Sequence, residues 1–95
     1  MQEIKKDTNQ FYVGEDQKKP LAVISFYPSD ENKIVIDHTF VCEALKGQGV
    51  GQQLVKQVVE YARQENKKIV PICTYAKKIM KQDADCQDVL LEKLL

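Results

Sequence analysis

The hydrophobic positions of this chain predict three strands, then one amphipathic helix and a fourth strand. Apolar and β-branched residues dominate segments 9–13, 21–27 and 34–41, and polar or proline-containing turns separate them. In segment 50–64 the apolar residues instead recur at helical spacing, which places them on one face of a helix. They are Val50, Leu54, Val55, Val58, Val59 and Ala62. A further apolar run at 69–73 has the length of a short buried strand.

The order of these elements predicts an α/β fold of the α+β kind. The first three strands, joined by polar turns, are expected to form an antiparallel meander. The strand–helix–strand order over residues 34–73 favours a parallel pair with a right-handed crossover. The tail, residues 75–95, is predicted to be helical in two pieces divided near Asp83. A length of 95 residues suits a single domain, residues 1–95.

Charge and composition exclude several classes of protein. Fourteen basic and fourteen acidic residues cancel, so no overall field favours binding to nucleic acid or to a membrane surface. No apolar run approaches the length of a membrane-spanning helix, and the first residues do not resemble a signal peptide. Three cysteines, an odd number without zinc-like spacing, indicate neither a disulfide framework nor a metal site. We therefore expect a reducing, cytoplasmic location.

The segment between the third strand and the helix carries alternate glycines, Gly47, Gly49 and Gly51. Glycines at such a junction let the backbone turn tightly and approach a ligand closely. The N–H groups of the helix's first turn have no partner within the helix, and together with the helix dipole they favour an anion. The segment therefore predicts a phosphate-binding loop and a phosphorylated cofactor. The alternative is that the glycines only make a tight strand-to-helix turn.

The spacing of these glycines narrows the choice of cofactor. A P-loop requires a Lys-Ser or Lys-Thr pair after the glycines, and the dinucleotide fingerprint requires GxGxxG near the start of a doubly wound fold. Neither is present. The pattern [R/Q]-x-x-G-x-[G/A] does fit from Lys46 through Gly49 to Gly51, except that its first position is a lysine. This pattern resembles the pyrophosphate loop of the GNAT acetyltransferases, which bind acetyl-coenzyme A.

Two flanking segments extend this resemblance to a family of small GNAT-like proteins. Residues 38–41, His-Thr-Phe-Val, are similar to its H-T-x-V segment, and residues 71–75, Pro-Ile-Cys-Thr-Tyr, to its P-x-C-x-[YF] segment. The chain departs from the family at Lys46, where an Arg is usual and the bidentate fork of Arg is lost. It departs again at residues 83–86, where the family often has a His-Pro-Glu-Tyr-like stretch.

The resemblance implies a minimal GNAT-like fold in which strands 34–41 and 69–73 splay apart and hold acetyl-CoA or CoA between them. The end of the first of these strands would pair with the pantetheine amides, and the glycine loop would bind the pyrophosphate. The residues that the resemblance assigns to the cofactor are Phe40, Val41, Cys42, Lys46, Gly47, Gln48, Gly49, Val50, Gly51, Gln52 and Cys73.

Cys73 and Tyr75 are two of three candidate catalytic residues. Cys73 lies at the predicted carboxyl end of a strand and just before a helix, a position that favours the thiolate. It could accept the acyl group in a ping-pong scheme, or it could be a buried core residue. Tyr75 could protonate the departing CoA thiolate, as tyrosines do in many GNAT enzymes, or simply pack at the helix start. Cys86, in a polar tail, is expected to be incidental.

His38 is the third candidate and the only histidine. Strand alternation predicts that it shares a face with Ile36 and Phe40 and points towards packed structure, while Asp37 and Thr39 face the opposite side. An imidazole there could deprotonate an acceptor amine directly or through water. It could equally be a hydrogen-bonded core residue.

The predicted function is transfer of an acetyl group from acetyl-CoA to an amine. Direct attack on the thioester would use His38 as the base, Cys73 or Tyr75 as the acid, and backbone N–H groups to stabilise the oxyanion. Only strand-like sequence precedes the third strand, which leaves the acceptor groove open to a protein or peptide lysine, or to completion by a partner subunit. The rivals are a CoA-binding module without transferase activity, acting as a sensor or interaction domain, and a redox or acyl-carrier role for Cys73. An exposed sheet edge also makes a homodimer plausible.

Overall fold

The computed structural model describes residues 3–91 as one five-stranded sheet with two helices and two short 3₁₀ turns. The strands are β1 (Lys5–Asp7), β2 (Gln10–Val13), β3 (Ala22–Asp30), β4 (Lys33–Val41) and β5 (Lys68–Pro71). The helices are α1 (Val50–Gln64) and α2 (Thr74–Gln82), and the 3₁₀ turns are Glu43–Leu45 and Ala84–Cys86. Neither helix is long and apolar enough to cross a bilayer within the part of the chain that the structure describes.

The strands lie in the sheet in their sequence order. Strands β1 to β4 are antiparallel neighbours, whereas β4 and β5 are parallel and are joined through α1. This arrangement confirms the predicted fold class, with its meander followed by a β-α-β unit. The bounds of α1 also agree with the predicted segment, because its buried residues follow the helical period that is visible in the sequence.

One face of the sheet packs against both helices and forms the hydrophobic core. The sheet contributes residues such as Ile24 and Ile36, and α1 contributes Leu54 and Val58, all of them fully buried. The core also contains Met80 of α2. Side chains of β2, β3, β4 and β5 that alternate with these core residues point to the opposite face of the sheet.

The sheet differs from the prediction at β1, β3 and β5, and the last of these ends at Pro71 rather than at residue 73. Strand β1 was missed because Lys5–Asp7 contains no apolar residue, and it is a strand through its pairing with β2. Strand β3 continues through Pro28 to Asp30, so the turn before β4 is shorter than predicted. A register shift next to Pro28 accommodates the proline, which cannot donate a ladder hydrogen bond.

The tail is helical over a shorter range than predicted. Helix α2 ends at Gln82 with Asp83 as its C-cap, near the predicted division, and a 3₁₀ turn follows. The chain then runs beside β5, where the Ile69 N–H donates to the Val89 carbonyl at 2.7 Å and the Leu91 N–H donates to the Ile69 carbonyl at 2.8 Å. The last predicted residues, 92–95, lie outside the described part. Backbone pairing with β5 therefore takes precedence over helical propensity here.

Candidate functional site

Strands β4 and β5 separate partway along β4, as the resemblance implies. Their parallel pairing ends at Ile36 and Pro71, whereas β4 continues to Val41 paired with β3 alone. The N–H groups of Ile72 and Cys73 both donate to the carbonyl of Ile36, at 3.0 and 3.2 Å. These two bonds mark the point at which the chain turns away into α2. Beyond this point the edge of β4 that faces away from β3 has no strand beside it among the described residues.

A cavity of about 670 Å³ lies between the end of β4 and the start of α1. This volume is within the range of small-molecule and cofactor sites. The predicted cofactor residues that line it are Phe40, Val41, Lys46, Gly47, Gly49, Val50, Gly51 and Gln52, and Thr39, Leu45 and Tyr75 complete the lining. Three other predicted cofactor residues, Cys42, Gln48 and Cys73, are outside this lining.

The glycine-rich segment forms the floor of the cavity at the N-terminus of α1. Gly49 is the N-cap residue with φ of 78°, and Gly47 has φ of 81°, both in the left-handed region where side chains are strained. No described side chain caps this helix end, and the N–H groups of its first turn have no partner within the helix. The exposed Lys46 lies beside them, although its Nζ is paired with Glu43 at 3.1 Å. The arrangement has the chemistry of an anion site.

Tyr75 packs against the same helix end. A methyl group at Gly51 would lie 2.7 Å from Cζ and 2.8 Å from Cε2 of Tyr75, and nearer still to its hydroxyl oxygen. A larger residue at position 51 would therefore require this ring to move. The predicted catalytic Tyr75 is thus part of the cavity wall, and Gly51 has a packing role as well as a place in the helix turn.

His38 is on the opposite side of the sheet from the one predicted. The register between β3 and β4 changes from Ser25 opposite His38 to Phe26 opposite Ile36, so Asp37 is an additional residue in β4. Such a bulge reverses the alternation of side chains. His38 is consequently exposed on the face away from the helices. The prediction that it shares a face with Ile36 was wrong.

The same bulge places Thr39 on the side of the core and cavity, which also contradicts the prediction. Thr39 is the register partner of the buried Ile24, and it lines the cavity. The Sγ atom of Cys73 donates a hydrogen bond to Thr39 Oγ1 at 3.4 Å. Sequence reasoning missed Thr39 because nothing in the sequence marks the bulge. In the structure, Ser25 Oγ donates a hydrogen bond to Asp37 Oδ1 at 2.6 Å across the bulge.

All three cysteines are free thiols. Cys73 is half-buried and is the N-cap residue of α2, and Cys42 is half-buried where β4 ends. Cys86, in contrast, is 1% exposed and belongs to the core, which corrects the expectation of an incidental tail position. Burial raises the pKa of the Cys86 thiol to about 11, and the nearby carboxylate of Asp83 adds to the effect. Within residues 3–91 no group of three potential ligands could hold a metal ion.

Comparisons with known proteins point to one family by sequence and by fold. The sequence model of the GCN5-related N-acetyl-transferase family matches residues 10–89. The NMR structure of a GCN5-like protein from Staphylococcus aureus is 46% identical, with a TM-score of 0.82, over 97% of this chain and 90% of that one. No curated protein matches the chain.

Two more distant structures share the fold. A GNAT family acetyltransferase from Elizabethkingia anophelis, solved with acetyl-CoA bound, is 22% identical with a TM-score of 0.58, over 77% of this chain and 50% of that one. Tetrahymena GCN5 is 10% identical with a TM-score of 0.61, over 90% of this chain and 61% of that one. The family model and the close Staphylococcus structure together cover nearly all of the described fold, and the chain belongs to the GCN5-related N-acetyltransferase family.

Proposed function

We propose that this protein binds acetyl-CoA in the cavity beside β4 and transfers the acetyl group to an amine. One observation carries the proposal: a single cavity joins the free edge of β4 to the uncapped, glycine-rich start of α1. A strand edge suits the amides of pantetheine, and a helix N-terminus suits a pyrophosphate. The Elizabethkingia protein of the same fold was solved with acetyl-CoA bound, which supports this choice of ligand.

In this proposal the backbone of the glycine segment binds the charged part of the cofactor. The N–H groups from Gly49 to Gln52 would donate to the pyrophosphate oxygens, with Gln48 beside them. Lys46 would add a positive charge after exchanging its contact with Glu43 for the phosphate. The backbone of Phe40 and Val41 would hold the pantetheine arm, with Cys42 beside it.

The transfer step requires a base, an acid and an oxyanion site. A neutral amine would attack the thioester carbonyl, and His38, exposed at the bulge, would take its proton. Tyr75, whose phenol lines the cavity, would return a proton to the CoA thiolate. Backbone N–H groups near the end of β4 would stabilise the tetrahedral oxyanion.

Cys73 supports a second route. Its thiolate could attack the thioester carbonyl, forming a new S–C bond while the CoA thiolate leaves, and the amine would then attack the acyl-cysteine. The observation that favours this route is the hydrogen bond from Cys73 to Thr39, a residue of the cavity wall. A protein that only binds CoA would use the same cavity without either step.

The acceptor side of the site is open in the described part of the chain. Before β4, residues 3–32 form strands and their connections, and no helix covers the exposed His38. We therefore propose a protein or peptide lysine as the acceptor, or a second copy of the chain that completes the groove. The free thiols fit a reducing compartment such as the cytoplasm.

Calorimetric titration with acetyl-CoA and with CoA tests the cofactor site. We expect micromolar binding, weakened about tenfold or more by Gly49→Val, because a β-branched residue at a φ of 78° displaces the first-turn N–H groups. Gly14→Ala is the matched control, since Gly14 also has a positive φ, 123°, but lies outside the cavity. Absence of binding by the folded wild type would exclude the proposed cofactor.

Intact mass and turnover then separate the alternatives. A protein that only binds CoA keeps its affinity in His38→Ala and Cys73→Ala and acetylates no amine. Direct transfer shows turnover that falls in His38→Ala. The covalent route shows one added acetyl group that Cys73→Ala abolishes.

A further inference from the structure

The bulge in β4 brings three polar side chains together on the face of the sheet away from the helices. Ser25 alternates with the core residue Ile24, so it lies on this outer face, and it is the register partner of His38. Ser25 Oγ donates a hydrogen bond to Asp37 Oδ1 at 2.6 Å, which places the carboxylate on the same face. Asp37 and His38 are both exposed. The bulge therefore presents a carboxylate beside an imidazole.

The carboxylate of Asp37 lacks the partners that the other described aspartates have. Oδ1 accepts from the Ser25 hydroxyl, and no basic side chain or backbone N–H of residues 3–91 is bonded to either oxygen. Every other described aspartate accepts from a backbone N–H or is paired with a basic side chain: Asp7, Asp16, Asp30, Asp83, Asp85 and Asp88. Aspartate is also depleted from strands. Within the described fold this charge has no partner of opposite sign, and Oδ2 is available to a ligand.

Two exposed apolar side chains flank this carboxylate. Ile72 comes directly after β5, and its N–H donates to the carbonyl of Ile36, the residue before Asp37, at 3.0 Å. The side chain of Ile72 is 55% exposed. Phe40, two residues after His38 and therefore on the same face, is 45% exposed and also lines the cavity. The order along β4 is therefore carboxylate, imidazole and cavity wall.

We propose that Asp37 binds the ammonium group of the acceptor, and that Ile72 and Phe40 contact the methylene chain that carries it. A cationic head on an apolar stem matches a carboxylate flanked by apolar side chains. Small free ligands bind in concave pockets, whereas an open strand face suits a side chain carried by a larger partner. The acceptor is accordingly a lysine of a protein or peptide.

Such a site deepens the proposed function, on which its role in acetyl transfer rests. Asp37 orients the amine beside His38 and takes no proton itself. Ser25 holds the carboxylate in place through its hydroxyl. The amine then lies on the side of the bulge from which Phe40 leads into the cavity.

The ring protons of His38 provide a direct test, because the chain has a single histidine. Proton NMR at constant pH would follow these signals while the protein is titrated with Nα-acetyl-lysine N-methylamide. We expect a saturable shift in the millimolar range. The norleucine analogue keeps the stem without the ammonium, and it should bind about threefold more weakly, which is the contribution of an exposed ion pair.

Two variants isolate the charge of Asp37. Asp37→Asn keeps the shape of the side chain and should weaken lysine binding about threefold, without changing binding of the norleucine analogue. Glu31→Gln is the matched control, because Glu31 is an exposed carboxylate in the turn between β3 and β4 and its loss changes the net charge equally. Glu31→Gln should bind lysine as the wild type does.

Three results would overturn the proposal. They are equal affinity for the lysine compound and its norleucine analogue, unchanged lysine affinity in folded Asp37→Asn, and His38 signals that move with protein concentration instead of with lysine. The last result would show that a second copy of the chain covers this face. If Asp37→Asn does not fold, the comparison of the two compounds on the wild type decides.

The titration needs no acetyl-CoA, so failure of the ammonium site is distinct from failure of the proposed function. Lysine binding that depends on Asp37, in a protein that transfers no acetyl group, would retain the site and reject the transferase. Turnover with the same KM for a lysine peptide in wild type and Asp37→Asn would retain the transferase and reject the site.

Discussion

The contact between Gly51 and Tyr75 predicts that Gly51→Ala is destabilising even though Gly51 lies in a helix. Replacing a helical glycine by alanine normally stabilises a protein by about 0.5–1 kcal/mol. Here the new methyl group would lie 2.7 Å from a ring carbon of Tyr75, well inside ordinary contact distance. The ring must therefore move away from the helix.

The loss of ring packing sets the size of the effect. Tyr75 is 43% exposed, so its side chain buries about 100 Å² of the 150–250 Å² that a tyrosine can bury. Burial of this area stabilises the fold by about 2.5 kcal/mol at most. Partial displacement would cost about 1–2 kcal/mol and would outweigh the helical gain. As a single substitution, Gly51→Ala should lower the free energy of unfolding by about 0.5–1 kcal/mol. In a Tyr75→Ala background it should raise that free energy by about the same amount.

Urea denaturation of the wild type, the two single variants and the double variant measures this coupling. The coupling free energy should be about 1–2 kcal/mol, and additivity within about 0.5 kcal/mol would refute the packing argument. Gly47→Ala is the matched control. Among the described residues other than its chain neighbours, none has an atom within 4 Å of the methyl group it would add, so Gly47→Ala should combine additively with Tyr75→Ala.

Two further predictions concern the ionisable groups of the C-terminal part. Arg63 binds both carboxylate oxygens of Asp88, at 2.8 and 3.0 Å, and holds the pKa of that carboxyl below its usual range. This stabilisation is present above the unfolded pKa, about 4, and is lost as pH falls through the folded pKa. Arg63→Met should therefore unfold at a higher pH in an acid titration followed by circular dichroism, with a smaller difference in about 1 M salt, and an unchanged acid midpoint would contradict the pairing. The Cys86 thiol has its pKa raised to about 11, so its stabilisation is complete below the unfolded value and is lost as pH rises from about 9 to 11. The stability advantage of wild type over Cys86→Ala should shrink by on the order of 2 kcal/mol across that range in urea denaturation, whereas a constant difference would show that Cys86 ionises normally.

Most of the fold could be predicted from local patterns in the sequence. The helical period in Val50–Gln64 fixed α1, because burial of one helix face depends on spacing within a single segment. The strand–helix–strand order likewise led to the parallel β4–β5 pair. Strand β1 escaped prediction because it has no apolar pattern of its own and exists through its pairing with β2.

Part of the candidate site could likewise be predicted from the sequence, and part of it could not. The alternate glycines predicted a phosphate-binding loop, and this role stays a prediction. The structure places Gly47, Gly49 and Gly51 in the lining of a cavity at the start of α1. The roles of Cys73, Tyr75 and His38 in chemistry stay predictions. The structure adds Thr39 to the cavity wall and gives Gly51 a packing partner.

The sequence by itself determined strands β2 to β5, helix α1, the helical start of the tail and the position of the glycine-rich loop, since these depend on neighbouring residues and short connections. Only the tertiary structure decided which face of β4 each side chain occupies. The additional residue Asp37 becomes a bulge through the register that β4 adopts against β3. One shift of register exchanges every side chain beyond it between the two faces, and this exchange exposes His38 and turns Thr39 towards Cys73.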